Sequence, residues 1–171
     1  GIRGIKDLPS LNADAMFFNF AIDPASPYTG SGKLDGNGIP LDFFSDIHAR
    51  KAFAYLFDYD RFLNEVWLNE ASQPADPVIA GTPFDNVGAE KPIFDLTLAA
   101  SEFAQVPGLD PTKGFYFKMT YNTGNLPRQT AAEMLRDNAA LVNPLFRIET
   151  LGVTWSTYLG ELWWYPTYKS I

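Results

Sequence analysis

The stretch "LDGNGIPLDFFSDIHARKAFAYLFDYDRF", Leu34–Phe62, has the strongest helix pattern in the sequence. Apolar side chains recur at positions i, i+3, i+4, i+7 and i+8 over Ala49–Phe57, with Arg50 on the opposite face. Either Ser45 or Asp46 can accept hydrogen bonds from the free N–H groups of the first turn. The stretch therefore predicts an amphipathic helix that begins just after these two residues and buries one face.

Four further segments have the same helical period. The first three are preceded by a residue that can cap a helix, and the third also has a proline in its first turn. Because the first of them follows the helix of the opening stretch directly, the two helices are expected to meet at a corner. The segments are Tyr59–Trp67 after Asp58, Leu96–Ala104 after Asp95, Pro127–Val142 after Asn125, and Ser156–Trp163.

Three segments between the helices indicate β-strands. Apolar and polar residues alternate in "GFYFKMTYN", residues 114–122, and the segments Ala15–Phe20 and Phe146–Gly152 are two further candidates. The resulting order of strand, helices, strand, helix, strand and helix is typical of an α/β layer structure. We therefore expect the three strands to share a mixed sheet with flanking helices, those around Ala49 and Phe103 packing on it.

Composition limits the classes of protein to consider. The chain has 171 residues, 46% of them hydrophobic and 15% aromatic, which predicts a single globular domain over residues 1–171. The net charge is −7 and the basic residues are scattered, so no nucleic-acid partner is predicted. Cysteine is absent, which excludes disulfides and thiolate chemistry. No apolar run is long enough to cross a bilayer and the first residues lack a signal-peptide pattern, so we expect a soluble chain or a piece of a longer one.

The start of the opening stretch also has some features of a calcium-binding loop. When Gly38 is placed at the sixth position of an EF-hand loop, Asp35 and Asn37 fall at ligand positions, but Lys33 and Phe44 fall where a carboxylate is required. Asp, Asn and Gly are also the usual residues of tight turns. A surface turn before the helix is the better interpretation.

Other catalytic or metal chemistry has little support. The lone His48 has no second histidine or cysteine to complete a metal site, so a partly exposed surface histidine is expected. Asp42 and Asp46 are candidates for the carboxylate pair of a glycosidase, but they lie where turns and caps favour Asp in any case. We therefore predict no enzymatic activity and no cofactor.

Six segments, in order, resemble the large extracellular solute-binding proteins of family 5, which serve peptide and nickel ABC importers. In "NGIPLDFFSDIHARKAFAYLFDYDRF" the residues Asp46, Arg50, Ala52 and Asp58 fit the pattern D-x-x-V-R-x-A-x-x-x-A-x-D-R/Y, with Ala49 in place of Val. The other five segments are "AMFFNF", "PVIAGTP", "FDLTLAASEF", "FKMTYNTGNLPRQTAAEML" and "FRIETLGVTWSTYL". The resemblance covers nearly the whole chain.

The resemblance implies a two-lobed, type II periplasmic-binding-protein-like fold, of which this chain is most of the second lobe. It implies an extracellular or periplasmic substrate-binding component of an ABC importer, which captures peptides or a related small solute by lobe closure. The implied partners are the solute, the ABC permease and the first lobe of the same chain. Membrane association is expected through parts outside this fragment. An oligosaccharide-binding member of the family is the alternative, and a glycosidase-like domain is less favoured.

The candidate ligand-binding residues are Asn122, Asn125, Arg128 and Trp155. The first three follow the carboxyl end of a predicted strand and lead into a helix, where free N–H groups favour polar ligands. Relatives of this kind use this turn to line the cleft, but a helix cap beside a surface arginine is an equally good interpretation. Two other visible residues, Arg50 and Asp58, are expected to have structural roles.

Aromatic residues concentrate near the carboxyl end of the chain. They are a possible stacking platform for sugars or part of a core. We favour a surface that the other lobe covers, and an exposed apolar surface of this kind also suits a protein-interaction domain. The residues are Trp155, Tyr158, Trp163, Trp164, Tyr165 and Tyr168.

Overall fold

The structure is a computed structural model and describes residues 13–163. A short 3-10 turn, Phe43–Ser45, precedes the first helix, and the second helix continues as a π-helical turn over Phe62–Val66. The elements are α1 (Ile47–Leu56), α2 (Tyr59–Arg61), α3 (Leu96–Phe103), β1 (Phe115–Asn122), α4 (Leu126–Val142), β2 (Phe146–Val153) and α5 (Trp155–Trp163). All five predicted helices are therefore present.

Side-chain caps fix where the helices begin. Asp46, and not Ser45, caps α1, since its Oδ1 accepts hydrogen bonds from the backbone N–H groups of His48 at 2.8 Å and Ala49 at 3.0 Å. Asp58, Asp95 and Asn125 cap α2, α3 and α4 in the same way. These caps satisfy N–H groups that have no partner within the helix.

The sheet of the described residues consists of β1 and β2, which pair in parallel from Phe115 opposite Phe146 to Asn122 opposite Val153. Helix α4 connects the two strands, as a parallel connection requires. The mixed α/β class is confirmed: a small parallel sheet has helices packed against it.

The predicted strand Ala15–Phe20 is wrong, because this segment has no strand structure. The outer edge of β1 is already occupied over its first half, where the N–H of Lys118 donates to the carbonyl of Tyr28 at 2.8 Å. The segment contributes to the core through Phe18, whose ring stacks on that of Phe44 at 4.9 Å, while Phe17 stays exposed. The apolar residues of this segment therefore supply one anchoring ring to the core and do not pair in the sheet.

One aromatic core joins the helices to the sheet. Phe53 of α1 lies at its centre, and its ring contacts Phe18 and rings from the turn before α1, from α3 and from β1. Its other ring partners are Phe44, Phe103, Phe115 and Phe117. The predicted packing of α1 and α3 on the sheet is thus confirmed.

The turn before α1 has the structure expected of a surface turn. The carboxylate of Asp35 accepts hydrogen bonds from the hydroxyl of Ser31 at 2.7 Å and the N–H of Asn37 at 2.8 Å. The bond from Ser31 holds the pKa of Asp35 below its usual value. Within residues 13–163 no helix is long and apolar enough to span a bilayer.

Candidate functional site

The carboxyl ends of the two strands meet at one edge of the sheet. Beyond β1, the N–H and the hydroxyl of Thr123 both donate to the carbonyl of Val153 at the end of β2, at 2.7 and 3.0 Å. These bonds hold the turn between β1 and α4 against the start of α5. Side chains from both turns therefore lie close together.

Arg128 is held by two asparagines of this turn. Its Nη1 donates to the Oδ1 of Asn122 at 2.9 Å, and its backbone N–H donates to the Oδ1 of Asn125 at 3.0 Å. The second bond is the N-cap of α4. Three of the four predicted site residues are therefore in direct contact with one another.

The guanidinium group of Arg128 also contacts two residues that the sequence did not indicate for the site. Its Nη2 lies 3.5 Å from the Oδ1 of Asp14, and its Cζ lies 5.8 Å from the ring centroid of Tyr158 in α5. The Arg128 side chain stays 37% exposed, so one part of the cation faces solvent. A partly solvated cation that already has an anionic neighbour suits exchange of that neighbour for an anionic ligand group.

Trp155, the fourth predicted residue, reaches the group through Tyr158. The two rings stack with centroids 5.9 Å apart and planes inclined by 23°. Trp155 is 52% exposed and offers an apolar surface beside the cation. We call the set of residues Asp14, Asn122, Asn125, Arg128, Trp155 and Tyr158 the Arg128 cluster.

Tyr158 and Asp14 were not predicted as site residues, for different reasons. Tyr158 belongs to the predicted aromatic group and follows Trp155 by three positions, a spacing that places both on one helix face. Asp14 is more than a hundred positions from Arg128 in the sequence, and no motif links the two. The chemistry that the cluster offers is recognition: a cation, amide groups and an aromatic face.

Arg50 and Asp58 have structural roles, as expected. The Nη1 of Arg50 donates to the carbonyls of Phe44 and Ser45, both at 2.7 Å, and its Cζ lies 4.5 Å from the ring centroid of Phe20. Asp58 caps α2. Neither residue belongs to the Arg128 cluster.

His48 and the two aspartates before it lie elsewhere in the lobe. The Nδ1 of His48 is 2.7 Å from the Oε2 of Glu102, which joins α1 to α3. Asp42 and Asp46 line a shallow cleft of about 330 Å³, but the Asp46 carboxylate is engaged as the α1 cap. Trp164, Tyr165, Tyr168 and the Trp163 side chain lie outside the described residues, so the wider aromatic surface stays a prediction.

Residues 4–166 match the profile of the family described as "Bacterial extracellular solute-binding proteins, family 5 Middle". The chain belongs to this family. No curated protein sequence matches it.

Solved structures of such proteins are similar in fold. The substrate-binding protein CtaP of an ABC transporter from Listeria monocytogenes is 11% identical, with a TM-score of 0.61 over 78% of this chain and 25% of that one. AppA from Bacillus subtilis, solved in complex with a nonapeptide, is 19% identical, with a TM-score of 0.57 over 70% of this chain and 25% of that one. The Thermotoga maritima oligopeptide-binding protein with bound mannohexaose is 18% identical, with a TM-score of 0.52 over 70% and 25%. This chain thus spans about a quarter of their length, and its fold is one lobe of a type II binding protein.

Proposed function

We propose that the chain is part of the second lobe of an extracellular solute-binding protein that captures peptides or a related small solute by lobe closure and delivers it to an ABC permease. Residues 1–171 would form one domain of that protein. The observation that supports this proposal most directly is that Arg128, Asn122 and Trp155 come together where the two parallel strands end. In open α/β sheets this edge is where ligands bind.

The chemistry of the Arg128 cluster favours a peptide. An exposed guanidinium beside a replaceable carboxylate suits a terminal or side-chain carboxylate of the ligand. The Trp155 ring suits an apolar side chain. AppA from Bacillus subtilis, a structural neighbour, was solved with a nonapeptide, which supports this proposal.

An oligosaccharide is the second candidate. The stacked pair of Trp155 and Tyr158 offers aromatic faces of the kind that apolar sugar faces contact, and one structural neighbour contains mannohexaose. Catalysis is not proposed for either ligand class. The protein would be extracellular or periplasmic, with any membrane attachment in other parts of the parent protein.

Calorimetry on the full two-lobed parent protein tests the function. The panel consists of unblocked tri-, penta- and nonapeptides, mannohexaose, and the Ni(L-His) complex found in a structural neighbour from Campylobacter jejuni. We expect binding of a peptide, weakened in Arg128→Ala. The 171-residue chain alone should bind the same peptide very poorly, since one lobe supplies only part of the enclosing surface. Absence of binding to the whole panel, or tight binding by this chain alone, contradicts the proposal.

A further inference from the structure

The segment between α2 and α3 contains a loop that is ordered by its own contacts. Residues 73–92 form this loop, and its ends are joined where the Nε2 of Gln73 donates to the carbonyl of Pro92 at 2.8 Å. Inside the loop, the two carboxylate oxygens of Asp76 accept from the N–H groups of Val78 at 2.8 Å and Asn86 at 2.7 Å. Long ordered loops without regular structure are uncommon and are usually functional.

The tip of the loop presents an aromatic ring to solvent. Phe84 is 94% exposed and has a φ of 76°, which a bulky residue seldom adopts. The turn around it is fixed because the N–H of Gly81 donates to the Oδ2 of Asp85 at 2.8 Å and the hydroxyl of Thr82 donates to the carbonyl of Ile79 at 2.6 Å. Val87, three residues further on, is 83% exposed. The backbone thus holds two apolar side chains outward, whereas an exposed apolar side chain ordinarily gains by burial.

The loop does not contribute to the lobe's core. None of residues 67–95 is buried. The surrounding charge is acidic: residues 58–95 hold eight acidic and two basic side chains, a net −6 out of the chain's −7. An occupant of this surface must therefore offer apolar area together with basic groups.

The loop rejoins the lobe at a point away from the Arg128 cluster. The chain just after the loop is tied to α1, because the N–H of Asp95 donates to the carbonyl of Tyr55 at 3.0 Å. The last residue of α1, Leu56, accepts a hydrogen bond from the Nδ2 of Asn138 at 2.7 Å. Asn138 is ten residues beyond Arg128 on α4, which is about 15 Å along the helix. The base of the loop and the Arg128 cluster therefore lie at different ends of α4.

We propose that the loop 73–92, with Phe84 at its tip, docks this lobe on the outer face of the ABC permease, in an apolar pocket bordered by basic side chains. This inference rests on the proposed function. The other lobe is the alternative occupant, and the peptide Kd of a tip variant distinguishes it from the permease. A second copy would bring like charges together, and an anionic bilayer would repel this surface.

Two substitutions at the tip separate the apolar contact from the backbone conformation. Phe84→Asn removes the ring but keeps a residue that tolerates positive φ. Phe84→Trp keeps an aromatic anchor. Leu141→Ser, at an apolar residue of α4 that is 71% exposed and outside the loop, is the matched control. Neither Phe84 nor Leu141 belongs to the Arg128 cluster.

The test uses the full parent protein with its own permease and ATPase subunits reconstituted in nanodiscs. There are two readouts. The first is the parent-protein concentration that half-maximally stimulates ATP hydrolysis. The second is the calorimetric Kd for the peptide that binds in the ligand panel described under the proposed function. We expect Phe84→Asn to raise the half-maximal concentration at least about tenfold, with the Kd unchanged within about twofold. Phe84→Trp and Leu141→Ser should behave like the unmodified protein, and added salt should weaken stimulation.

The outcomes distinguish the two proposals. Normal stimulation by Phe84→Asn overturns the docking surface and leaves the solute-binding function intact. A weaker peptide Kd in Phe84→Asn also overturns it, because the loop would then contact the solute or the other lobe. Loss of parent-protein dimers or of binding to anionic vesicles in that variant, with normal stimulation, assigns the loop to those occupants instead. A parent protein that binds every ligand class poorly and never stimulates the ATPase contradicts the proposed function itself.

Discussion

The Nη1 of Arg128 donates a 2.9 Å hydrogen bond to the Oδ1 of Asn122, which joins the first turn of α4 to the end of β1. The other terminal nitrogen of the guanidinium group, Nη2, lies 3.5 Å from the Oδ1 of Asp14. Because Asp14 is itself exposed, its contact with Arg128 is a surface ion pair of small net stability. The bond to Asn122 therefore orients the arginine, and the Asp14 contact is the one that the proposed solute would replace.

In the full parent protein, Asn122→Ala and Arg128→Ala should each weaken peptide binding by about 1–3 kcal/mol, the cost of leaving a buried polar partner unpaired. Their effects should be less than additive, because the two side chains contact each other. Calorimetry on the single and double variants measures both quantities.

Arg136→Ala is the control for these variants, since Arg136 lies two turns further along α4 and pairs with its neighbour Asp137 on the surface. It should leave peptide affinity unchanged. Folding should also be nearly unaffected in Asn122→Ala and Arg128→Ala, with changes in the unfolding free energy below about 1 kcal/mol. Unchanged peptide affinity in both variants would place the site elsewhere.

Helix capping gives a second prediction, for which the chain supplies its own control. Asp46 accepts two backbone hydrogen bonds at the start of α1, so Asp46→Ala should lower the unfolding free energy by about 1–2 kcal/mol. Asp42 precedes the short turn Phe43–Ser45 and makes no side-chain cap bond, so Asp42→Ala should change it by less than about 0.5 kcal/mol. Urea unfolding of the 171-residue chain compares the two. Equal losses would mean that the cap is not what stabilises α1.

Sequence patterns predicted the helices well because their signals are local. Asp46, Asp58, Asp95 and Asn125 each cap the helix that follows, and the apolar period marks the buried face. The segment Ala15–Phe20 was assigned wrongly because strand formation depends on a free partner edge, and the loop at Tyr28 takes part of that edge of β1. Edge occupancy cannot be read from the period of a short segment.

In the candidate site too, local features could be predicted from the sequence and tertiary contacts could not. Asn122, Asn125 and Arg128 lie in one turn, so their proximity could be predicted, and a strand-to-helix turn is a known location for polar ligands. The contact of Arg128 with Asp14 depends on how a remote coil packs against α4. The position of Tyr158 between Arg128 and Trp155 depends on where α5 lies relative to β1. Neither tertiary relationship leaves a local signal in the sequence.

Alkaline pH should destabilise the lobe through its buried phenols. Burial raises the pKa of Tyr59 to about 12, from an ordinary value of about 10. The unfolded chain therefore loses this proton first as pH rises, so the contribution is complete below about pH 10 and is lost between about pH 10 and 12. Tyr59→Phe should show a shallower fall in unfolding free energy over that range, measured by urea unfolding.

Part of the alkaline slope should remain in Tyr59→Phe, because two other phenols also have raised pKa values. Burial, with an added hydrogen bond to Glu149, raises the pKa of Tyr116 to about 12, and burial with a bond to Glu161 raises that of Tyr28. Identical slopes for Tyr59→Phe and the unmodified chain between pH 10 and 12 would contradict the assignment to Tyr59.

The aromatic core gives the largest expected loss of stability. The ring of Phe53 is 1% exposed and contacts rings from the N-terminal segment, α3 and β1, so Phe53→Ala leaves a cavity bounded by side chains that cannot all move inward. Such a change should lower the unfolding free energy by about 3–5 kcal/mol. Phe17→Ala makes the same chemical change at an exposed ring next to the partly buried Phe18, and should cost less than about 0.5 kcal/mol. Urea unfolding measures both losses of unfolding free energy. A large loss in Phe17→Ala would show that residues 15–20 pack as a regular strand with both faces covered. A small loss in Phe53→Ala would show that the core is not organised around α1.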